Sequence, residues 1–156
     1  MNINELINPD RIAYDAHAGS KKRALELISD LLTANNPNMT KDEIFGSLIE
    51  RERLGSTGLG HGVAIPHARL KGREEAIGAF LKLDAGIDFD AIDQQPVDLV
   101  FALLVPEHYT DEHLHILANL AEIFGDDTFC EKLRNCNNVN QALNLLTHWQ
   151  DQKTPA

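Results

Sequence analysis

The sequence predicts an α/β protein, a three-layer α/β/α sandwich with helices on both faces of a central mixed sheet of about four to five strands. Three observations support this prediction. Strand-like runs are interspersed with helical periodicities, the strand candidate Val97–Val105 is apolar enough to be buried on both faces of a sheet, and no internal repeat is present. The length of 156 residues and the hydrophobic content of 43% suit one core. We therefore expect a single domain over residues 1–150 and a flexible tail over residues 151–156.

The first elements are a strand followed by two helices. Apolar residues alternate with polar or small ones over residues 11–17, which favours a short strand. Ser20 is a suitable N-cap for a first helix that ends at the Asn-Asn-Pro sequence of residues 35–37. A capping-box pattern beginning at Thr40 predicts a second helix that ends at Gly55.

The middle of the chain is glycine-rich and then strand-like. Residues 55–62 contain too many glycines to favour a helix or a strand, and residues 63–65 give a brief strand that is halted by Pro66. Two further strands are predicted over residues 76–83 and 97–105, the second of them buried. This reading places the residue after Pro66 immediately beyond a strand end.

The last third of the chain is predicted to be helical. Thr110 is expected to cap a helix that runs through Phe124, and two shorter helical patterns follow at about residues 127–135 and 139–150. The order is therefore strand, two helices, three strands and three helices. That order implies one mixed sheet covered by helices on both sides.

The composition argues against several classes of function. Twenty-four acidic and fourteen basic residues give a formal net charge of -10, which disfavours nucleic acid or an anionic membrane as a main partner and favours a partner with a basic face. No N-terminal signal pattern is present, and the longest apolar run is too short to span a bilayer. Cys130 and Cys136 lack the spacing of a redox or zinc motif, so reduced thiols and a cytoplasmic location are expected.

Seven histidines are present, and position separates two of them from the rest. His67 follows a predicted strand and a proline, where sheet proteins commonly mount reactive groups. His113 projects near the centre of the apolar face of its helix, whereas His115 points roughly the opposite way. Imidazole is nucleophilic when neutral near pH 7, so both are candidate functional residues. The alternatives are a solvated loop histidine for His67 and a hydrogen-bonded core histidine for His113.

The glycine-rich segment does not match the common loops of nucleotide-binding proteins or hydrolases. It follows a predicted helix and lacks the Lys-Ser/Thr ending of a P-loop. A nucleophile elbow requires one residue between its glycine and its serine, whereas Gly55 and Ser56 are adjacent. A zinc site formed by His61, His67, His113 and a carboxylate stays open as an alternative. His113 and His115 diverge on their helix and cannot chelate together. A metal-dependent hydrolase is therefore a competing class of function.

Two groups of motifs closely resemble the mannitol/fructose class of phosphotransferase IIA domains. The first is an ordered set that resembles the active-site segment of this class: Arg51-Glu52, Ser56-Thr57-Gly58-Leu59-Gly60 and Gly62-Val63-Ala64-Ile65-Pro66-His67. The second resembles the nitrogen-related members of the class: Phe89–Asp93, Pro96–Leu99 and Phe101–Pro106, followed by His113-Leu114. Together the resemblance covers most of residues 5 to 148.

The resemblance implies specific roles for five residues. His67 corresponds to the histidine that accepts the phosphoryl group, with its tele nitrogen the candidate atom, and His113 to the histidine beside it. Arg51 corresponds to the active-site arginine, with the nearby Arg53 and Arg69 as alternatives for that position. Thr57 occupies the hydroxyl position of the intervening loop and, with Ser56, is expected to bind phosphate. No metal, nucleotide or other cofactor is implied.

The resemblance also implies partners and a pathway. It predicts a cytoplasmic phosphocarrier of the nitrogen-related phosphotransferase system, charged by an HPr-like carrier (NPr) that enzyme I phosphorylates from phosphoenolpyruvate. Regulated cytosolic proteins such as sensor kinases or potassium transport components are the expected targets, with no nucleic acid and no membrane insertion. The alternatives are a IIA component of a fructose- or mannitol-type uptake system and a regulatory binding module that acts independently of phosphorylation.

Overall fold

The computed structural model describes residues 3–34 and 36–149 of the chain. Within these residues the strands and helices are, in chain order, β1 (Ile12–Ala16), α1 (Lys21–Thr33), α2 (Lys41–Leu54), β2 (Gly58–Gly60), β3 (Val63–Ala64), β4 (His67–Leu70), β5 (Ile77–Ile87), β6 (Val97–Pro106), α3 (Asp111–Phe124), α4 (Asp127–Arg134) and α5 (Val139–Thr147). Short 3-10 turns cover Ile3–Glu5 and Pro9–Arg11. The predicted tail, 151–156, and residue 150 of the last predicted helix lie outside the described residues.

The strands form one mixed sheet, as predicted. Its order is β1-β5-β6-β3-β2, and β4 also pairs with β6. Strand β5 runs antiparallel to β6, whereas β1 is parallel to β5 and both β3 and β4 are parallel to β6. Because β5 occupies one side of β6, β3 and β4 must share the other side. The six strands therefore occupy five positions across the sheet, which agrees with the predicted four to five.

Two separate cores confirm the three-layer arrangement. On one face of the sheet Phe80 and Phe101 pack with residues of α3, α4 and α5, and the Phe101 and Phe124 ring centroids lie 5.7 Å apart. On the other face Leu81 and Val100 pack against α1 and α2. Neighbouring residues of β5 and β6 thus point into different cores, which explains why both strands are apolar throughout their central parts.

Two of the three predicted N-caps, Ser20 and Thr40 but not Thr110, make the expected side-chain hydrogen bond. Ser20 and Thr40 accept backbone N–H groups from the residues three positions further on, at 3.1 Å in both cases, as predicted. The prediction that Thr110 caps α3 is wrong in its chemistry, because its side chain makes no capping hydrogen bond. Instead the backbone N–H of Thr110 donates to the carboxylate of Glu112.

Two strands were not predicted, and they change the setting of His67. Strand β2 lies inside the glycine-rich segment and pairs with β3, and strand β4 begins at His67 itself. The chain after Pro66 therefore returns to the sheet instead of leaving it in a loop. Both strands are short, and each is held by hydrogen bonds to a distant or following strand, not by strong local β propensity.

Candidate functional site

A break between β3 and β4 positions His67. Both strands pair with β6 in parallel, with Ala64 opposite Val100 and His67 opposite Leu103. Between them, Pro66 has no N–H to give to the sheet, but its carbonyl accepts the N–H of Leu103 at 2.9 Å. The interruption therefore stays pinned to β6, and His67 stands on a rigid support.

One hydrogen bond sets the tautomer of the His67 imidazole. Its Nδ1 lies 3.0 Å from the carbonyl oxygen of Ile65. Because a carbonyl can only accept, Nδ1 must carry the proton of the neutral ring, and Nε2 keeps its lone pair. The hydrogen bond thus makes Nε2 the nucleophilic nitrogen.

The surroundings of His67 favour its neutral form. Burial is the main cause that lowers the pKa of His67 below its ordinary value of 6.5, and the positive charge of Arg51 and the neighbouring His113 also lower it. The carbonyl of Ile65 and the carboxylate of Glu52 act in the opposite direction but are outweighed. An unprotonated imidazole near neutral pH is the state that a nucleophile requires.

An open cleft of about 520 Å³ brings together three of the five predicted site residues, His67, Arg51 and His113. The remaining walls are formed by Ser47, Glu50, Leu54, Ala68, Arg69, Leu103, Val105 and Leu117. These residues come from α2, β4, β6 and α3, so the cleft lies where both helical layers meet β4 and β6. The walls do not include Thr57 or Ser56.

Arg51 approaches the cleft from the last turn of α2. Its Nη1 donates to the carbonyl oxygen of Gly55 at 2.9 Å, which turns the guanidinium back over the end of its own helix. The side chain is half-buried, and among the described residues Gly55 is the one hydrogen-bond acceptor of its guanidinium, so the remaining donors can bind an anion in the cleft.

His113 approaches the cleft from the first turn of α3. Its Nδ1 is buried, and no described residue forms a hydrogen bond with it. The prediction that His113 faces inward is therefore confirmed. The alternative of a hydrogen-bonded core histidine is not supported, because Nδ1 has no hydrogen-bond partner among residues 3–34 and 36–149. A buried ring nitrogen without a partner costs stability, and a functional role is one explanation for keeping such a group.

Thr57 and Ser56 are engaged in internal hydrogen bonds. The Thr57 hydroxyl donates to the carboxylate of Glu52, and the Thr57 backbone N–H donates to the same carboxylate at 3.1 Å. The Ser56 hydroxyl donates to the carbonyl of Phe89 at 2.8 Å and accepts the N–H of Gly58 at 3.0 Å. These bonds hold the segment in place, and a contact of either hydroxyl with phosphate stays a prediction.

Arg69, which the sequence offered as an alternative to Arg51 for the active-site arginine, is also a cleft residue. It lies two positions after His67 on β4, so both side chains point to the same side of the strand. Its Nη1 donates to the carbonyl of Tyr109 at 3.2 Å, just before α3. Once β4 is known, this two-residue spacing would have identified it as a second cation at the cleft.

The described residues do not gather the ligands of the alternative zinc site. His61 lies outside the cleft walls; its backbone N–H donates to Asp93 at 2.9 Å and its carbonyl accepts from Arg134 at 2.9 Å. Among the residues with described positions, no group of three or more His, Cys, Asp or Glu side chains could hold a metal ion. In the same part of the chain, no helix is long and apolar enough to cross a membrane.

Comparison with known proteins defines the class to which this fold and site belong. Residues 5–149 match the family model described as phosphoenolpyruvate-dependent sugar phosphotransferase system, EIIA 2. The chain therefore belongs to this family of phosphotransfer components, as the resemblance predicted. The crystal structure of IIA mannitol from Escherichia coli has the same fold, with a TM-score of 0.75 at 22% identity over 90% of this chain and 98% of that one.

Within the family, the chain is similar to nitrogen regulatory proteins. A nitrogen regulatory protein from Pseudomonas aeruginosa is 44% identical over 151 residues, which cover 97% of this chain and 98% of the relative. The crystal structure of nitrogen regulatory protein IIA-Ntr from Neisseria meningitidis superposes with a TM-score of 0.86 at 41% identity, covering 93% of this chain and 99% of that one. The prediction of a nitrogen-related member is thereby confirmed.

Proposed function

We propose that the chain is a cytoplasmic phosphocarrier that accepts a phosphoryl group on Nε2 of His67 from an HPr-like phosphohistidine carrier (NPr). That carrier would be charged by enzyme I from phosphoenolpyruvate. The observation that supports the proposal most directly is the hydrogen bond from Nδ1 of His67 to the Ile65 carbonyl, which leaves Nε2 unprotonated in a cleft shared with Arg51 and His113. The phosphorylation state would then regulate target proteins such as sensor kinases or potassium transport components.

The bond-making step itself needs no proton transfer on this chain. The Nε2 lone pair of His67 forms a bond to phosphorus, and the phosphorus–nitrogen bond of the carrier breaks with its electron pair returning to the carrier's imidazole. His67 keeps its Nδ1 proton, so the phosphorylated ring is cationic until it loses that proton to solvent. The carbonyl of Ile65, already 3.0 Å from Nδ1, stabilises that charge.

Charge neutralisation is the task of the neighbouring residues. Phosphoryl transfer depends mainly on positioning and on stabilising the negative oxygens. Arg51 is placed to bind them through its free donors, and His113 can supply a ring N–H. Direct binding by Thr57 or Ser56 would require their hydroxyls to leave existing hydrogen bonds, so we propose these contacts as secondary.

The regulatory role is favoured over sugar uptake by the comparison with nitrogen regulatory proteins at 44% identity. A IIA component of a fructose- or mannitol-type system would use the same histidine chemistry and would pass the phosphoryl group on to a sugar-specific acceptor. Rapid transfer to such an acceptor would therefore favour the uptake alternative. Stable retention of the group until a target binds would favour regulation.

The decisive experiment is intact-mass spectrometry after incubation with phosphoenolpyruvate, enzyme I and an HPr-type carrier. We expect one acid-labile phosphoryl group on the wild type and on His115→Ala, whose histidine is exposed on α3, and none on His67→Ala. Nitrogen-15 NMR of the adduct should assign the bond to Nε2. An adduct on His67→Ala, or none on the wild type with donors proven competent, would refute the proposal.

A pull-down tests the regulatory half of the proposal. Phosphorylation adds a dianionic group at a cleft flanked by exposed leucines, and such a change can switch a docking surface. We expect cytosolic partners to distinguish His67→Ala from the charge mimic His67→Glu. Partners that bind both variants and the wild type equally would indicate a binding module that acts independently of phosphorylation.

A further inference from the structure

A largely buried ion pair joins the start of α1 to the end of α2, next to Arg51 in the sequence. Glu52 follows Arg51 on α2, but its carboxylate points inward with a side-chain exposure of 4%, and Nζ of Lys21 lies 2.9 Å from its Oε2. Lys21 also stands 4.7 Å from the ring centroid of Phe89. A lysine in the first turn of a helix opposes the helix dipole, so its presence at the start of α1 calls for another reason. The pairing with Glu52 supplies that reason.

The same carboxylate holds Thr57 at two points. Oε1 of Glu52 accepts the Thr57 hydroxyl, and Oε2 accepts the Thr57 backbone N–H at 3.1 Å. Both residues are buried, with 7% of each exposed. A buried carboxylate is tolerated only when its charge and its oxygens are matched, so this arrangement has little freedom to shift.

The carboxylate connects to the active histidine through two further hydrogen bonds. The carbonyl of Thr57 accepts the N–H of Ile65 at 3.1 Å, one step beyond the pairing of β2 with β3. The carbonyl of Ile65 itself accepts the Nδ1–H of His67 at 3.0 Å. The position of Thr57 therefore bears on the direction of the carbonyl that selects the His67 tautomer.

We propose that Glu52, held by Lys21, is a positioning residue for phosphoryl acceptance. Its carboxylate fixes Thr57, Thr57 fixes the backbone at Ile65, and Ile65 holds His67 with Nε2 unprotonated. The inference rests on the proposed function, in which Nε2 is the nucleophile. It also gives the Thr57 hydroxyl a role that acts through the backbone, beside the secondary phosphate contact proposed above.

The test uses four variants and one matched control. Thr57→Val removes the hydroxyl at nearly constant shape, and Thr57→Ser restores it. Glu52→Gln removes the charge, and the double variant Lys21→Met/Glu52→Gln removes both charges, so that no unpaired charge is left buried. Thr147→Val is the control, because the partners of that hydroxyl among the described residues are Leu143, Asn144 and His148, all far from His67 in the sequence.

Two readouts separate positioning from mere stability. The first is the pattern of imidazole nitrogen-15 shifts of His67 in the unphosphorylated protein, which reports the tautomer. The second is the single-turnover rate of phosphoryl acceptance from a phosphorylated HPr-type carrier, measured where every variant is folded. We expect Thr57→Val and the double variant to gain the Nε2–H tautomer and to lose about tenfold or more in rate, since small misplacements of a reacting group cost this much.

The outcomes are distinct. Recovery of both readouts in Thr57→Ser, with Thr147→Val unchanged, supports the inference. A rate loss in Thr57→Val without a tautomer change would mean that the hydroxyl acts on the phosphoryl group directly, and this result would overturn the inference. A change in melting temperature alone, with the tautomer and the rate unchanged, would also overturn it. If the wild type accepts no phosphoryl group, the proposed function fails, while the nitrogen-15 pattern still decides whether Glu52 positions His67.

Discussion

At the scale of single residues, the protonation state of His67 decides whether it can act. Its pKa is lowered below 6.5, chiefly by burial, and Arg51 contributes in the same direction. Only the neutral ring is a nucleophile, so a lowered pKa keeps the reactive form dominant at and above pH 6.5. Arg51, which we propose binds the developing negative charge, therefore also favours the neutral form of the imidazole.

This reasoning predicts the pH dependence of phosphoryl acceptance. The rate should fall as the pH drops through the lowered pKa of His67, so the midpoint of the acidic limb should lie below pH 6.5. Arg51→Met should raise the pKa of His67 and move the acidic limb to higher pH. A pH–rate profile and an NMR titration of His67 measure both effects, with the exposed Arg53→Met as control. A wild-type midpoint above pH 6.5 would contradict the prediction.

His113 offers a second prediction at this scale, in which stability and activity separate. Its Nδ1 is buried without a partner among the described residues, a situation that costs about 1–3 kcal/mol. His113→Leu removes this cost, so we expect equal or higher stability, by about 1 kcal/mol, together with a marked loss of phosphoryl acceptance. His113→Gln, which keeps a donor, should retain more of the rate.

Urea unfolding and single-turnover kinetics on the same samples measure this separation. His115→Leu provides the control, because His115 is exposed on α3 and should leave both quantities unchanged. If His113→Leu is destabilised while its rate stays normal, His113 is a structural residue and has no part in the transfer.

At the scale of elements, the site depends on β4, a strand that the sequence pattern did not predict. The caps at Ser20 and Thr40 were predictable because they are local, involving only residues three positions apart. Strands β2 and β4 were not, since Gly58 and Gly60 have low β propensity and β4 exists through its pairing with β6. Such pairing is a property of the folded sheet, which periodicity along the chain does not record.

The turn between β2 and β3 is held from outside by α4. Arg134 donates from Nη2 to the carbonyl of His61 at 2.9 Å and from Nε to the carboxylate of Asp98 at 3.0 Å. The guanidinium lies so close to Gly62 that a Cβ there would come within 2.5 Å of Nη2, and Gly62 has a φ of +83°. Only glycine fits this turn without a shift of the Arg134 clamp, by which we mean the Arg134 guanidinium bonded to His61 and Asp98.

A pair of glycine substitutions tests this clamp. Gly62→Ala should destabilise the protein by about 1–3 kcal/mol, because it combines a left-handed backbone with a steric clash. Gly46→Ala, in the middle of α2 with open space around the added methyl group, should instead stabilise by about 0.5–1 kcal/mol. Urea denaturation measures both free energies of unfolding, and the same sign for the two variants would refute the account of Gly62.

At the scale of the whole molecule, the cleft exists because two helical layers meet at β4. Arg51 comes from α2 on one face of the sheet and His113 from α3 on the other, with His67 between them. The resemblance to a known family identified these three residues from the sequence. It could not supply the hydrogen bond that sets the tautomer of His67 or the contact of Lys21 with Glu52, because both depend on the geometry of the folded chain.

Exposed leucines lie around the cleft and suggest where the phosphorylated carrier docks. Leu54, on the cleft wall, is 84% exposed, and Leu114, next to His113, is 55% exposed. Exposed leucines beside a reactive group are typical of a docking surface, which supports recognition of a carrier through apolar contacts. The net charge of -10 adds a long-range preference for a basic partner.

Leu54→Ser should therefore raise the KM for the phosphorylated carrier about fivefold, corresponding to about 1 kcal/mol of lost apolar contact, and leave the maximal rate unchanged. Ile92→Ser is the matched control, since Ile92 is 85% exposed but lies outside the cleft walls. Steady-state transfer assays at several carrier concentrations separate KM from maximal rate. Equal KM values for both variants and the wild type would exclude Leu54 from the docking surface, and an equal rise in both would place the carrier over a wider area that reaches the β5–β6 loop.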